Sequence, residues 1–77
     1  GMAMSEPLER AEETCKKLGG LLGPAIPPGW GFVLILMNYN QTTPKGRLTY
    51  ISSCDRETIP TALREMADLL EGGKGEV

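Results

Sequence analysis

Six consecutive apolar residues, Phe32-Val33-Leu34-Ile35-Leu36-Met37, constrain this chain more than any other feature. The run is far shorter than the ~20 residues a membrane-spanning helix needs. Breakers flank it closely, so it reads as a strand, over Gly31–Tyr39. A strand with one wet face alternates apolar and polar residues. This one does not, so both of its faces need cover. The chain offering that cover has 77 residues. That length suits one small domain, expected over residues 5–72, with 1–4 and 73–77 as flexible ends.

The remaining elements follow from spacing. Leu8, Ala11, Cys15, Leu18 and Leu22 recur every three or four residues and predict a helix over Ser5–Leu18. Glu6 with Arg10, Glu12 with Lys16 and Glu13 with Lys17 are i,i+4 pairs in the favourable order. Ser5 is the expected N-cap, Pro7 falls in the first turn, and Gly19-Gly20 is the expected stop. Leu21–Gly29, with Pro24, Pro27 and Pro28, reads as a stiff structured connector. Thr43-Pro44-Lys45-Gly46 suits a hairpin turn. Arg47–Ser52 is the second expected strand, with Leu48 and Tyr50 on one face and Arg47, Thr49 and Ile51 on the other. Ile59, Ala62, Leu63, Met66, Leu69 and Leu70 form the apolar stripe of a second helix over Asp55–Glu71. Asp55 or Thr58 is its expected cap, and Pro60 requires an irregular first turn or a later start. The expected fold class is α+β in αββα order: an antiparallel β-hairpin packed on two helices.

Two helices can cover one face of a two-stranded hairpin, which leaves the other side of residues 32–37 bare. An exposed strand of this kind is an aggregation hazard. Homodimerisation, edge to edge or face to face, would extend or cover the sheet. The alternative is a monomer whose proline-rich connector folds over the second face. Trp30, Phe32, Val33, Ile35 and Tyr50 are the candidate interface residues, while core packing is the favoured reading of Phe32, Tyr50 and Trp30 individually.

Composition narrows the partners. Eight basic and ten acidic residues leave a net charge of −2. Residues 5–17 carry three basic and four acidic side chains, the middle holds Lys45 and Arg47, and residues 55–77 carry three and six. No basic stripe results, so nucleic acid is not an expected partner. No membrane partner is expected either. Cys15 and Cys54 lack a CxxC spacing, and the chain has no histidine, so no metal site is expected. No secretory pattern opens the sequence, and Gly1 reads as a residue added ahead of Met2, so the expected compartment is the cytoplasm.

The chemistry-bearing residues each have a plainer reading. Cys54 precedes the second helix, where backbone N–H groups can activate a thiol. No base accompanies it, and Asp55 beside it opposes a thiolate. Cys15 lies on the apolar stripe and reads as core or interface. Ser52-Ser53-Cys54-Asp55-Arg56 has the groups of a small anion site, yet Asp55 competes for the same N–H donors, which makes it a strand-to-helix cap. Asp55 and Glu57 read as solvated charges at a helix start rather than an acid–base pair. The common phosphate, metal and nucleophile motifs are absent. No catalytic residue and no cofactor is expected.

Gly31-Phe32-Val33-Leu34-Ile35-Leu36, the glycine-containing hairpin, and Leu48-Thr49-Tyr50-Ile51-Ser52-Ser53-Cys54-Asp55-Arg56 with Ile59 and Leu63 resemble small uncharacterised proteins of bacterial phages and prophages. Their pattern is GFxLLxF followed by GxLxYISNAxRxxMIxxL. The resemblance covers about residues 29–66. It departs at Ser53, where the pattern has Asn, at Cys54, where it has Ala, and at Pro60. Alanine in place of Cys54 argues against a catalytic thiol. The resemblance implies a phage-type setting and no mechanism. The expected function is therefore that of a non-enzymatic interaction module, homodimeric, with an unidentified protein partner also possible. The alternative is a small-ligand or nucleic-acid binder using Lys45 and Arg47. An enzyme would have to work through Cys54 or Asp55 at a dimer seam.

Overall fold

The computed structural model describes residues 2–43 and 45–72. Their order is helix α1 (Met2–Leu22), strand β1 (Val33–Met37), strand β2 (Leu48–Ser52) and helix α2 (Thr58–Gly72). This is the α+β, αββα arrangement that the spacing predicts. The five-residue tail after Gly72 lies outside the described residues.

Helix α1 is longer than expected at both ends. It begins at Met2, so Ser5 is inside it rather than capping it. Pro7 consequently stands in the second turn, where its missing N–H leaves the Ala3 carbonyl without its usual donor. Gly19 and Gly20 do not stop the helix, which runs on to Leu22 and tightens into a 3-10 turn over Gly23–Ala25. Glycine lowers helix propensity by only about 1 kcal/mol. Packing overrides that at Gly19. A Cβ placed there would stand 3.0 Å from Ile51 Cδ1 and 3.1 Å from Ile51 Cγ2, so the bare backbone lets α1 approach β2.

The connector contains its own turn. Gly29 has φ +87°, and the Trp30 N–H donates to the Pro27 carbonyl at 3.1 Å. Proline followed by a positive-φ glycine is the chemistry of a type II turn. The chain then enters β1. The strands pair antiparallel, with Val33 opposite Ser52, Ile35 opposite Tyr50 and Met37 opposite Leu48. One more bond, from the Asn38 N–H to the Arg47 carbonyl at 2.8 Å, extends the ladder towards the loop. Asn38 shapes the loop's start: its Oδ1 accepts from the Asn40 N–H at 2.9 Å, and its carbonyl from the Gln41 N–H at 3.2 Å. Gly46, at φ +87°, supplies the reversed conformation on the returning side.

The ladder also reaches one pair past β1 in the other direction. The Phe32 N–H donates to Ser53 Oγ at 3.0 Å, and the Phe32 carbonyl accepts from the Ser53 N–H at 3.1 Å. Strand alternation then divides the hairpin. Leu34, Leu36, Thr49 and Ile51 form the side packed on α1. Val33, Ile35, Met37, Leu48 and Tyr50 form the side away from it.

Helix α2 starts at Thr58, three residues later than Asp55, which places Pro60 in its first turn. A turn bond from the Thr58 N–H to the Asp55 carbonyl, 2.9 Å long, leads into it. Cys15, in α1, and Ile59, in the first turn of α2, are the buried hydrophobic side chains among the described residues. Helix α1 crosses the hairpin mainly over β2, whereas α2 anchors by Ile59 and then leaves the sheet. The two helices therefore do not share the task of covering one face.

Candidate interaction surface

The open side of the hairpin is apolar and wet. Ile35, Met37, Leu48 and Tyr50 are all exposed. Tyr50 had core packing as one reading and is instead 47% exposed. Register explains it: Tyr50 pairs with Ile35 on the side that α1 does not reach. Four polar or charged side chains would be routine here, but four large apolar ones on one face of a two-stranded sheet are not.

Helix α2 continues this surface. Along its apolar stripe exposure is 8% at Ile59, 40% at Leu63, 51% at Met66, 49% at Leu69 and 71% at Leu70. The gradient means that the helix axis diverges from the sheet. Between them lies a wedge of about 290 Å³, floored by Val33, Ile35 and Tyr50 and walled by Ile59, Pro60 and Leu63. Arg56 stands at its margin. Arg64, Glu65, Asp68 and Glu71 occupy the polar side of α2 by helical spacing.

The five candidate interface residues separate. Val33, Ile35 and Tyr50 meet in the wedge. Phe32 falls, by parity, with Leu34 on the α1 side and is half-buried. Trp30 is 76% exposed on the connector, so core packing, one reading of this residue, is corrected. The cause is the Pro27-Pro28-Gly29 turn, which carries Trp30 outward before the strand begins. Met37, Leu48, Leu63, Met66, Leu69 and Leu70 join the apolar surface and were not among the candidates. The stripe on α2 was visible in the sequence, but it reads as a core stripe unless the direction of the helix is known.

The other chemistry-bearing residues hold the chain together. The Cys54 N–H donates to Ser52 Oγ at 2.8 Å, and its thiol faces the Phe32 carbonyl at 3.9 Å. Gly31 packs so closely that a Cβ there would meet Cys54 Sγ at 2.8 Å. Cys54 thus fastens the end of β2 to the entry of β1. Asp55 and Glu57 are exposed. Among the described residues, no three His, Cys, Asp or Glu side chains gather as a metal site.

A second groove, of about 420 Å³, runs between Leu8 and Ala11 of α1 and the hairpin's loop end at Asn38 and Arg47. Arg47 is half-buried in it, and among the described residues its Nε is enclosed without a hydrogen-bond partner. Lys45 is exposed, so the two basic residues of the hairpin do not form one open cationic patch. Among the described residues no helix is long and apolar enough to cross a membrane. The chain matches no family model, no curated protein and no solved structure.

Proposed function

We propose that the chain is a non-enzymatic interaction module that works as a homodimer. The observation that carries this reading is the continuous apolar surface formed by the open sheet face and the diverging stripe of α2. Large exposed apolar patches rimmed by polar groups mark association sites. Trp30 and Tyr39, 76% and 91% exposed, are left outside the wedge and are free to engage a further protein. A phage or prophage accessory role is the setting that the resemblance over residues 29–66 supports.

Co-expression of two differently tagged copies tests the reading. Each tag should retrieve the other, and Ile35→Glu, placed on the open face, should abolish retrieval. Tags that return only themselves would overturn the homodimer. The alternative through Lys45 and Arg47 draws no support from the half-buried guanidinium of Arg47.

A further inference from the structure

We infer that the wedge between the sheet and α2 is a binding site for a small apolar carboxylate, its hydrocarbon part held between sheet and helix and its head group at Arg56. Both walls belong to one chain, so the site goes beyond self-association. Three observations select this ligand.

The first is size. The wedge has a volume of about 290 Å³. An apolar cavity of about 150 Å³ takes a molecule the size of benzene, so this one takes on the order of twelve non-hydrogen atoms. One turn of helix with its side chains, about 10 Å across and about 5.4 Å long, already occupies more than the wedge holds. The space therefore suits a small molecule and not a protein segment.

The second is the lining. Val33 and Ile35 of β1 face Ile59 and Leu63 of α2 across the wedge, and Tyr50 of β2 completes the floor. Ile35, Tyr50 and Leu63 remain exposed there because the helix diverges from the sheet. A hydrocarbon between the two walls would take that surface out of water on both of its sides. Pockets for small molecules are commonly of this make, mostly apolar with a polar group that fixes orientation.

The third is charge. Among the described residues that line the wedge, Arg56 alone is charged, and no carboxylate lines it. Asp55 and Glu57 flank Arg56 in sequence but do not line the wedge. Arg56 stands two residues before α2, and Ile59 and Pro60 of the first turn line the same space. The positive end of the α2 dipole therefore adds to the guanidinium at this end of the wedge. A carboxylate can pair with arginine through two hydrogen bonds, whereas an ammonium head would meet like charge.

Decanoate, which has about this many non-hydrogen atoms, is the probe, with decanol and decylamine as its neutral and cationic counterparts. Each is titrated into the full chain below its micelle-forming concentration and followed by methyl-resolved NMR. Saturable shifts are expected at Val33, Ile35, Ile59 and Leu63, with decanoate binding most tightly and decylamine least. Arg56 is exposed, so Arg56→Gln should leave the wedge formed, which an unchanged affinity for decanol verifies. The same variant should weaken decanoate binding by about threefold to tenfold. Absence of saturable shifts, or shifts spread evenly to Trp30 and Leu70, would overturn the site. Equal affinity for decanoate and decylamine, or a loss of decanol binding alongside decanoate in Arg56→Gln, would overturn the role given to the guanidinium. Methyl shifts that follow protein concentration and ignore all three probes would also overturn the site and leave self-association standing.

Discussion

Gly19 and Gly20 are neighbours in α1 with different surroundings. Nothing lies within 4 Å of a Cβ added at Gly20, whereas one at Gly19 presses on the Ile51 side chain. Gly20→Ala should therefore stabilise the protein by about 0.5–1 kcal/mol, raising Tm by several degrees in a domain of this size. Gly19→Ala gains the same helix propensity and loses it to crowding, so it should be the less stable of the two variants by about 1 kcal/mol or more. Thermal denaturation of both variants checks the ordering, and equal Tm values would contradict the close approach at Ile51. The cysteines offer a second residue-level comparison. Cys15 is 1% exposed and Cys54 is half-buried beside Gly31. In the native protein Cys54 should be alkylated first, with Cys15 reacting only on unfolding. Labelling followed by peptide mass analysis reads this, and early modification of Cys15 would contradict its burial.

Helix α2 is held to its own fold at one end. Ile59 is its buried side chain, and Leu63, Met66 and Leu70 are progressively exposed. Ile59→Ala should cost about 2–4 kcal/mol, since it empties the single anchored position of the element. A loss under about 1 kcal/mol in denaturant titration would show that α2 is held elsewhere. The backbone of α2 beyond Leu63 should exchange its amide hydrogens quickly in dilute protein and slowly in concentrated protein, as the proposed self-association would cover its apolar stripe. Exchange that ignores concentration would contradict that.

Elements of this kind were legible in the sequence to different degrees. The two strands and both helices follow from apolar spacing, the faces of β2 follow from its alternation, and of the two readings Pro60 allows, an irregular first turn or a later start, α2 shows the later start. The ends of α1 did not follow, because Gly19-Gly20 carries the chemistry of a stop and tertiary contact with β2 overrides it. Pro27-Pro28-Gly29-Trp30 carried a turn signal that explains the exposure of Trp30. The interaction surface was half legible. Six apolar residues in a row say that the sheet needs cover on both sides. Which way α2 departs depends on the short link from Ser52 to Thr58, and no side-chain pattern encodes that angle.

At the scale of the whole molecule, the single chain is extended for its length. Its radius of gyration is 14.5 Å, where a compact domain of 77 residues has about 11.5 Å. Its longest extent is 42 Å against a shortest of 22 Å. A small domain already buries a modest share of its surface, and one that also holds a helix away from its core gives up more. Stability should accordingly depend on assembly, with Tm rising as protein concentration rises. The most direct measurement is sedimentation equilibrium of the full chain across micromolar concentrations. A particle of twice 8.3 kDa, falling towards 8.3 kDa for Leu70→Glu and for Ile35→Glu, is the expected result. A unmodified chain that stays at 8.3 kDa throughout would contradict the account.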